Sequence, residues 1–443
     1  MVVPSRWSDI HVQGGPGYRL GEGPFWQGTE SREGGWWHPK AILAADFLGA
    51  RYAVTGVGTS LDATFSTARS SPHFLADAAG VFQGFGPNAL ATLSGVGAFI
   101  GGQATSLLAN GNDLSLASWS NSTSATATSL GTTALGIFKP TAISTAAASA
   151  QSRRTQSAVG GAVNGRPIAV QIYYRAGTSG RIHIRNCPVN SGPFSNITGP
   201  AANPFETVTE TAGTITQRSM ALLPDGVTCL ARYVFTPNYT GNYAFQIGAS
   251  TAVNGETLIV LGVDAVAGVF WPPFHATSSP APTRLASDVR AASLGWFDAV
   301  GLAAGATELL VPNWSQTGLG VERPLFEFSD GTANNLIGGY VDAADKPTLR
   351  IVAGGVTQVA TALPVAISSG RKPLAFGWSE AGGYVADRAG NVASFGAAVL
   401  PAGLNIKRVG GGLAGTYLNA TLEQLQTCRP LTQDESRTWV TAA

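Results

Sequence analysis

Five histidines, three cysteines and a few closely spaced carboxylates are the residues of this 443-residue chain that could do chemistry. His11, His38, His73, His183 and His275 lie too far apart in sequence for the short-range pairs that hold zinc. Cys187, Cys229 and Cys428 are odd in number and form no C-x-x-C, so they read as three buried thiols. Glu327 and Asp330 stand close together in FEFSDG. Two-carboxylate hydrolysis needs both acids flanking one cleft. On a strand Glu327 points away from Phe328, and Asp330 falls in the turn that follows, so no enzyme is expected. Gly410, Gly412 and Gly415 match G-x-G-x-x-G. That motif binds a dinucleotide only inside a strand–helix–strand unit, and here too little patterned chain follows. It reads as a glycine-rich loop. Asp330, Asn334, Asn335 and Asp342 could offer oxygens to a calcium ion, the one cofactor weighed, and turn chemistry accounts for them equally well.

Recognition is the chemistry left. A sugar ring stacks its apolar face on an aromatic side chain while fixed polar groups read its hydroxyls. Tyr173, Tyr174 and Arg175 are candidates in the middle of the chain, and Trp314, Tyr340, Trp378 and Tyr384 in the last third. Trp314, in the polar setting PNWSQTG, is expected to be the most exposed. Trp378, in the apolar run LAFGW, leans toward core packing.

The elements that must position these residues are strands. Short apolar runs alternate with Gly, Asn and Asp turns every eight to twelve positions. RIHIR at 181–185 and NYAFQI at 242–247 alternate with period two, the mark of half-buried antiparallel strands. In the last third, strands are expected at 308–312, 325–329, 348–353, 356–360, 364–368, 374–378 and 384–388, with hairpin turns at AGGV and EAGGYV. Thr432 and Glu435 form a capping-box pattern, so a short helix should begin there. The fold class expected is all-β.

Composition narrows the partners. Hydrophobic residues are 44% and aromatic residues 9%, enough to build cores. Charged residues are 12%, the net charge is +1 and no basic stripe is visible, which argues against a nucleic-acid partner. Asp264, Pro272 and Pro273 break the longest apolar stretch, so membrane insertion is not expected. The start, MVVPSRWSDIHVQGG, lacks a signal-peptide core, so assembly in a cytosol is expected.

Several segments, taken in order, resemble bacteriophage head-fibre and tail-fibre proteins. Residues 65–119 carry FSTARSSPHFLADAAGVFQGF and GVGAFIGGQATSLLANGNDLSLASW, similar to a collar of strands in that family. VDAVAGVFWPPFHATSSPAPTRLASDV at 263–289 is similar to the exit of its carbohydrate-binding-type jelly roll, with Phe270, Trp271 and Pro272 departing from the usual pattern. FEFSDGTANNLIGGYV, GGVTQVA, LAFGWSEAGGYVADRAG, IKRVGGGLAG and LEQLQTCRPLTQDESRTWV follow the order of its concanavalin A-like or laminin-G-like terminal module.

The resemblance covers roughly residues 46–443, and five segments are expected. Residues 1–45, outside the resemblance, are rich in Gly, Pro and Trp and read as an extended arm, with Trp7, Trp26, Trp36 and Trp37 as anchors for docking other virion proteins or as rings folded back on their own domain. Residues 46–112 are a β collar, 113–277 a jelly roll, 278–284 a linker and 285–443 the terminal sandwich. The expected protein is a head spike, head fibre or tail fibre on the virion surface, a homo-oligomer assembled in a bacterial host, attaching to host surface polysaccharide. A decoration or adaptor protein without glycan binding is the alternative, and a polysaccharide-degrading enzyme the second.

Overall fold

The structure is a computed structural model that describes residues 36–443 apart from 70, 72, 78, 123–124, 133–136, 146–151, 190–192, 251–252, 275–282, 295–296, 298–303 and 315–319. The chain is all-β, built of antiparallel sheets, and ends in the helix Gln433–Ala442. Thr432 caps that helix: its hydroxyl accepts from the Glu435 N–H, and the Glu435 carboxylate accepts from the Thr432 N–H. Contacts divide the chain into two units. Unit 1 holds the described part of Met1–Arg69, with Asn88–Gly102 and Ala286–Ala443. Unit 2 holds Ser70–Pro87 and Gln103–Leu285.

Unit 1 is a sandwich of an eleven-stranded and a seven-stranded sheet. Period-two alternation assigns its faces. On Arg323–Ser329, Phe326 and Phe328 enter the core between the sheets while Glu327 points away. On Leu374–Ser379, Phe376 and Trp378 enter the same core, and Ala375 packs toward the helix side. The hairpin Pro347–Ala353 to Val356–Ala362 turns at Gly354 and Gly355, both at positive φ, as a two-residue turn requires. Pro364–Ser368, expected as a strand, is irregular chain. Its proline supplies no backbone donor for a ladder.

The eleven-stranded sheet corrects the expected segment boundaries. Strand Ala41–Asp46 pairs with Ala420–Cys428 (Ala45 opposite Leu425), and Gly97–Ile100 pairs with the same strand. Phe65–Ala68 joins the seven-stranded sheet beside Asp288–Ala291. The stretch 46–112 is therefore no separate collar. Its strands are divided between the two units, and Phe65–Ala68, Gly97–Ile100 and Ala104–Thr105 each pair with sequence far away. Thr283–Arg284, placed in the expected linker, pairs with Ala104–Thr105.

Unit 2 is a sandwich of two six-stranded sheets. The front sheet runs Ser120–Ser122, Ser152–Ala162, Gly241–Ala249, Arg181–Pro188, Ser195–Pro200, Thr207–Glu210. The back sheet runs Ala125–Ser129, Thr141–Thr145, Thr257–Ala267, Ile168–Arg175, Cys229–Pro237, Gly213–Leu222. Ile182, Ile184, Tyr243, Phe245, Ile247, Val170, Ile172, Tyr174, Tyr233 and Phe235 fill the space between them. The far side of the back sheet carries a second apolar layer, where Phe82, Phe138 and Phe274 surround Tyr173. Phe82 comes from the hairpin His73–Ala76 to Phe82–Phe85, part of the expected collar.

Candidate functional site

The aromatic candidates are structural. Tyr174 faces the inter-sheet core of unit 2, and its hydroxyl donates to the Ala201 carbonyl at 2.5 Å. Tyr173, one residue earlier, points to the opposite side, where Phe82 lies edge-on at 5.6 Å and Phe274 at 5.5 Å. Trp314 is 1% exposed, which corrects the expectation that it stands open. It belongs to the strand Gly305–Trp314, with the Arg323 guanidinium 5.7 Å from its ring. Trp378 stacks on Phe326 at 6.0 Å. Tyr340 and Tyr384 are buried too, and the Tyr384 hydroxyl meets the Leu431 carbonyl at 3.0 Å and Ser436 Oγ at 2.6 Å. A ring enclosed in protein offers no face for a sugar to stack on. Trp378 and Tyr384 do border one hollow of about 290 Å³, shared with Phe395 and Thr432. Arg175 is partly exposed and tied to its own sheet, Nε donating to Thr228 Oγ1 at 3.0 Å and Nη2 to Asp225 at 3.2 Å.

Of the docking-arm tryptophans, Trp7 and Trp26 lie outside the described residues. Trp36 is buried in unit 1, edge-on to Trp37 at 5.1 Å, so these two rings fold back on their own domain.

The carboxylates part as their turn and strand positions dictate. Glu327 is buried on the outward side of the seven-stranded sheet. It accepts from the Tyr340 hydroxyl at 3.1 Å, from Arg408 Nη1 at 3.5 Å and from the Leu413 N–H at 3.3 Å. Burial pushes its pKa up, and these donors oppose the shift. The Gly410–Gly415 loop thus covers Glu327 through Leu413. Asp330 closes its own turn, accepting from Thr332 and Asn335. Asp342 does the same for Ala344 and Lys346. The Asn334 carbonyl accepts from Gly355. Turn chemistry therefore accounts for the calcium candidates. Among the described residues, no group of three or more His, Cys, Asp or Glu is placed to hold a metal ion. The three cysteines are buried and form no disulfide with one another.

A different set of polar residues comes together on the front sheet of unit 2. Strand register places Thr155, Gln246, Arg185, Asn196 and Thr209 in one row across five strands. The next row on the same face is Arg153, Gly248, His183, Thr198 and Thr207. Residues paired across strands share a face, so ten neighbouring positions hold no apolar side chain. At roughly 4.8 Å per strand step, the rows span about 19 Å.

Hydrogen bonds fix this face. Arg185 Nε donates to Asn196 Oδ1 at 3.0 Å, and its guanidinium lies 4.0 Å from the Phe194 ring. Arg153 Nη1 lies 3.2 Å from His183 Nε2. A guanidinium can only donate, so Nε2 accepts and the ring proton sits on Nδ1, which donates to Thr198 Oγ1 at 3.0 Å. Burial, then the charges of Arg153 and Arg185, push the His183 pKa down to about 3, which keeps the ring neutral. Burial lowers Arg153 to about 10. Thr155 Oγ1 and Gln246 Oε1, side by side in the first row, are buried and have no hydrogen-bond partner among the described residues. Arg153, Thr155 and His183 are buried, and the partly or fully exposed members Arg185, Gln246, Asn196, Thr198, Thr207 and Thr209 present guanidinium, amide and hydroxyl groups. Such groups can hydrogen-bond a polyhydroxylated ligand. RIHIR marked His183 and Arg185 as sharing a face. Their partners on the neighbouring strands follow only from register.

No family model matches the chain, and no curated protein matches it. Among solved structures, the CBM40 of the Ruminococcus gnavus IT-sialidase aligns with 14% identity and a TM-score of 0.28, covering 32% of this chain and 86% of that one. Domain 4 of AbnA, a GH43 extracellular arabinanase from Geobacillus stearothermophilus, aligns with 16% identity and a TM-score of 0.28, covering 36% and 73%. Mouse laminin α1 chain domains LG4-5 align with 12% identity and a TM-score of 0.22, covering 67% and 92%. Likenesses this slight assign neither a family nor an activity.

Proposed function

We propose that this chain is an attachment protein of a bacteriophage or phage-like particle, a head spike, head fibre or tail fibre, that holds host surface glycan on the front sheet of unit 2. One observation carries the reading: two adjacent cross-strand rows hold only polar residues and one glycine, and Gln246, Arg185, Asn196, Thr198, Thr207 and Thr209 of these rows are at least partly exposed while Arg153, Thr155 and His183 are buried behind them. The exposed donors and acceptors suit sugar hydroxyls, and their three strand steps, about 14 Å, suit a short run of linked sugar units. The phage setting rests on the order of the sequence segments that resemble fibre proteins. In that setting the protein stands on the virion surface as a homo-oligomer, and its N-terminal residues hold other virion proteins.

Purified chain, titrated with host cells and with a panel of surface polysaccharides, tests the reading. Saturable binding to at least one host polysaccharide is expected, without release of reducing sugar. Absence of binding to both cells and polysaccharide overturns it in favour of a decoration protein.

A further inference from the structure

A cleft in unit 1, remote in sequence from the front-sheet residues, has the chemistry of an anion site. It lies between the segment 364–372, irregular but for the short strand Gly370–Arg371, and the turn after the strand Gly382–Asp387, with a volume of about 430 Å³. That volume falls in the range of small-molecule sites, roughly 300–1,000 Å³. Ile367 and Leu374, both buried, give it apolar lining. Arg371, Lys372, Arg388 and Asp387 supply the charges.

The charges do not cancel one another inside the cleft. Asp387 holds its own turn through neutral donors, Oδ1 accepting from the Asn391 N–H at 2.9 Å and Oδ2 from Asn391 Nδ2 at 2.8 Å, and so sets one carboxylate charge against the cations of the cleft. Arg371 is committed to Glu423, which accepts from its Nε at 2.6 Å. Lys372 Nζ donates to a neutral group, Ser368 Oγ, at 2.8 Å. Arg388 is exposed and, among the described residues, has no hydrogen bond or ion pair. Two cations without a carboxylate partner thus border a cleft with an apolar floor. A ligand that meets both features has a compact body with an apolar face and carries an oxyanion.

We infer that this cleft is a second glycan site, which takes an anionic sugar unit with its carboxylate or phosphate between Lys372 and Arg388. The identity of the ligand rests on the glycan-binding reading of the chain; the charge and shape of the cleft do not.

The test uses the full chain and its K372A/R388A variant, both substitutions being at the surface. Each is titrated with glucuronic acid, glucose 6-phosphate, glucose and inorganic phosphate, with binding read by ligand-observed NMR. At least one anionic sugar should bind at least tenfold more tightly than glucose and than phosphate, and the variant should lose at least tenfold of that affinity. Preference for glucuronic acid or for glucose 6-phosphate identifies the oxyanion. Equal binding of glucose, equal binding of inorganic phosphate, or an unaffected variant overturns the inference. Anionic sugars that bind through Lys372 and Arg388 in a chain that ignores host polysaccharide leave the cleft standing and remove the attachment reading. The opposite pattern removes the cleft alone.

Discussion

Lys407 and Glu308 form an ion pair across the core of the unit 1 sandwich, Nζ donating to Oε1 at 2.6 Å with both side chains fully buried. Lys407 comes from the seven-stranded sheet and Glu308 from the eleven-stranded sheet. Lys407 also donates to Thr427 Oγ1 and lies 4.9 Å from the Phe328 ring. Burial pushes the Lys407 pKa down and the Glu308 pKa up, and their mutual attraction opposes both shifts. Breaking such a pair from one side strands a charge, which costs about 3–5 kcal/mol, whereas replacing both partners with apolar groups is often neutral. K407M alone should therefore lower the midpoint of urea unfolding strongly, and K407M/E308L should recover most of the loss. Additive losses in the double variant would show that the pair is not the coupled unit described.

Phe82 should behave as a core residue of unit 2 although it lies within the expected collar. It meets Phe138 at 5.0 Å and Tyr173 at 5.6 Å. F82A should cost about 3–5 kcal/mol, the range for large aromatic truncations. Gly262 lies beneath the same cluster, and a Cβ there would meet Phe138 Cε1 at 2.5 Å and Phe274 Cζ at 2.7 Å. G262A should cost about 1–3 kcal/mol through overpacking. Thermal unfolding of both variants checks this, and unchanged melting would refute the buried aromatic layer.

His183 should make unit 2 sensitive to acid. Its pKa in the folded chain is about 3, below the ordinary 6.5, so between these values the unfolded chain binds the extra proton. Stability then falls as pH drops from about 6.5 toward 3, by up to about 1.4 kcal/mol per pH unit. Titrating carboxylates add their own pH dependence, so the comparison is with H183Q. Wild type should lose more stability between pH 7 and pH 4 than H183Q does. Equal slopes would contradict a neutral buried imidazole.

The arm test must respect the fold. Removing residues 1–45 would delete Ala41–Ala45 of the strand that pairs with Ala420–Cys428, together with the buried Trp36. Deletion of residues 1–35 leaves both intact. That variant should fold with wild-type melting and fail to enter particles, and normal incorporation would end the docking role.

Much of the architecture was legible because it is local. The alternation in RIHIR, the Gly354–Gly355 turn and the Thr432–Glu435 capping box each appear where the sequence puts them. What was not legible is non-local. Nothing near Ala41–Asp46 announces a partner at 420–428, and nothing near Phe65–Ala68 announces one at 288–291, so the collar reads as a separate segment in sequence. The candidate site failed for a related reason. Tyr173 and Trp314 are residue types that suit either a sugar or a core, and only the Phe82 hairpin and the opposing sheet decide between them. Arg185 and Asn196 were the converse case, ordinary polar residues that become a candidate site only when register aligns them.

The most direct test of the central claim is a titration of host surface polysaccharide against wild type, R185A and R185A/N196A, with unfolding measured in parallel. A hydrogen bond from a charged group is worth about 1.5–3 kcal/mol, so each variant should bind about 10- to 100-fold more weakly. Melting should be nearly unchanged, because Arg185 and Asn196 are partly exposed. Wild-type affinity in the folded double variant would contradict the assignment of the front sheet as the glycan-binding face.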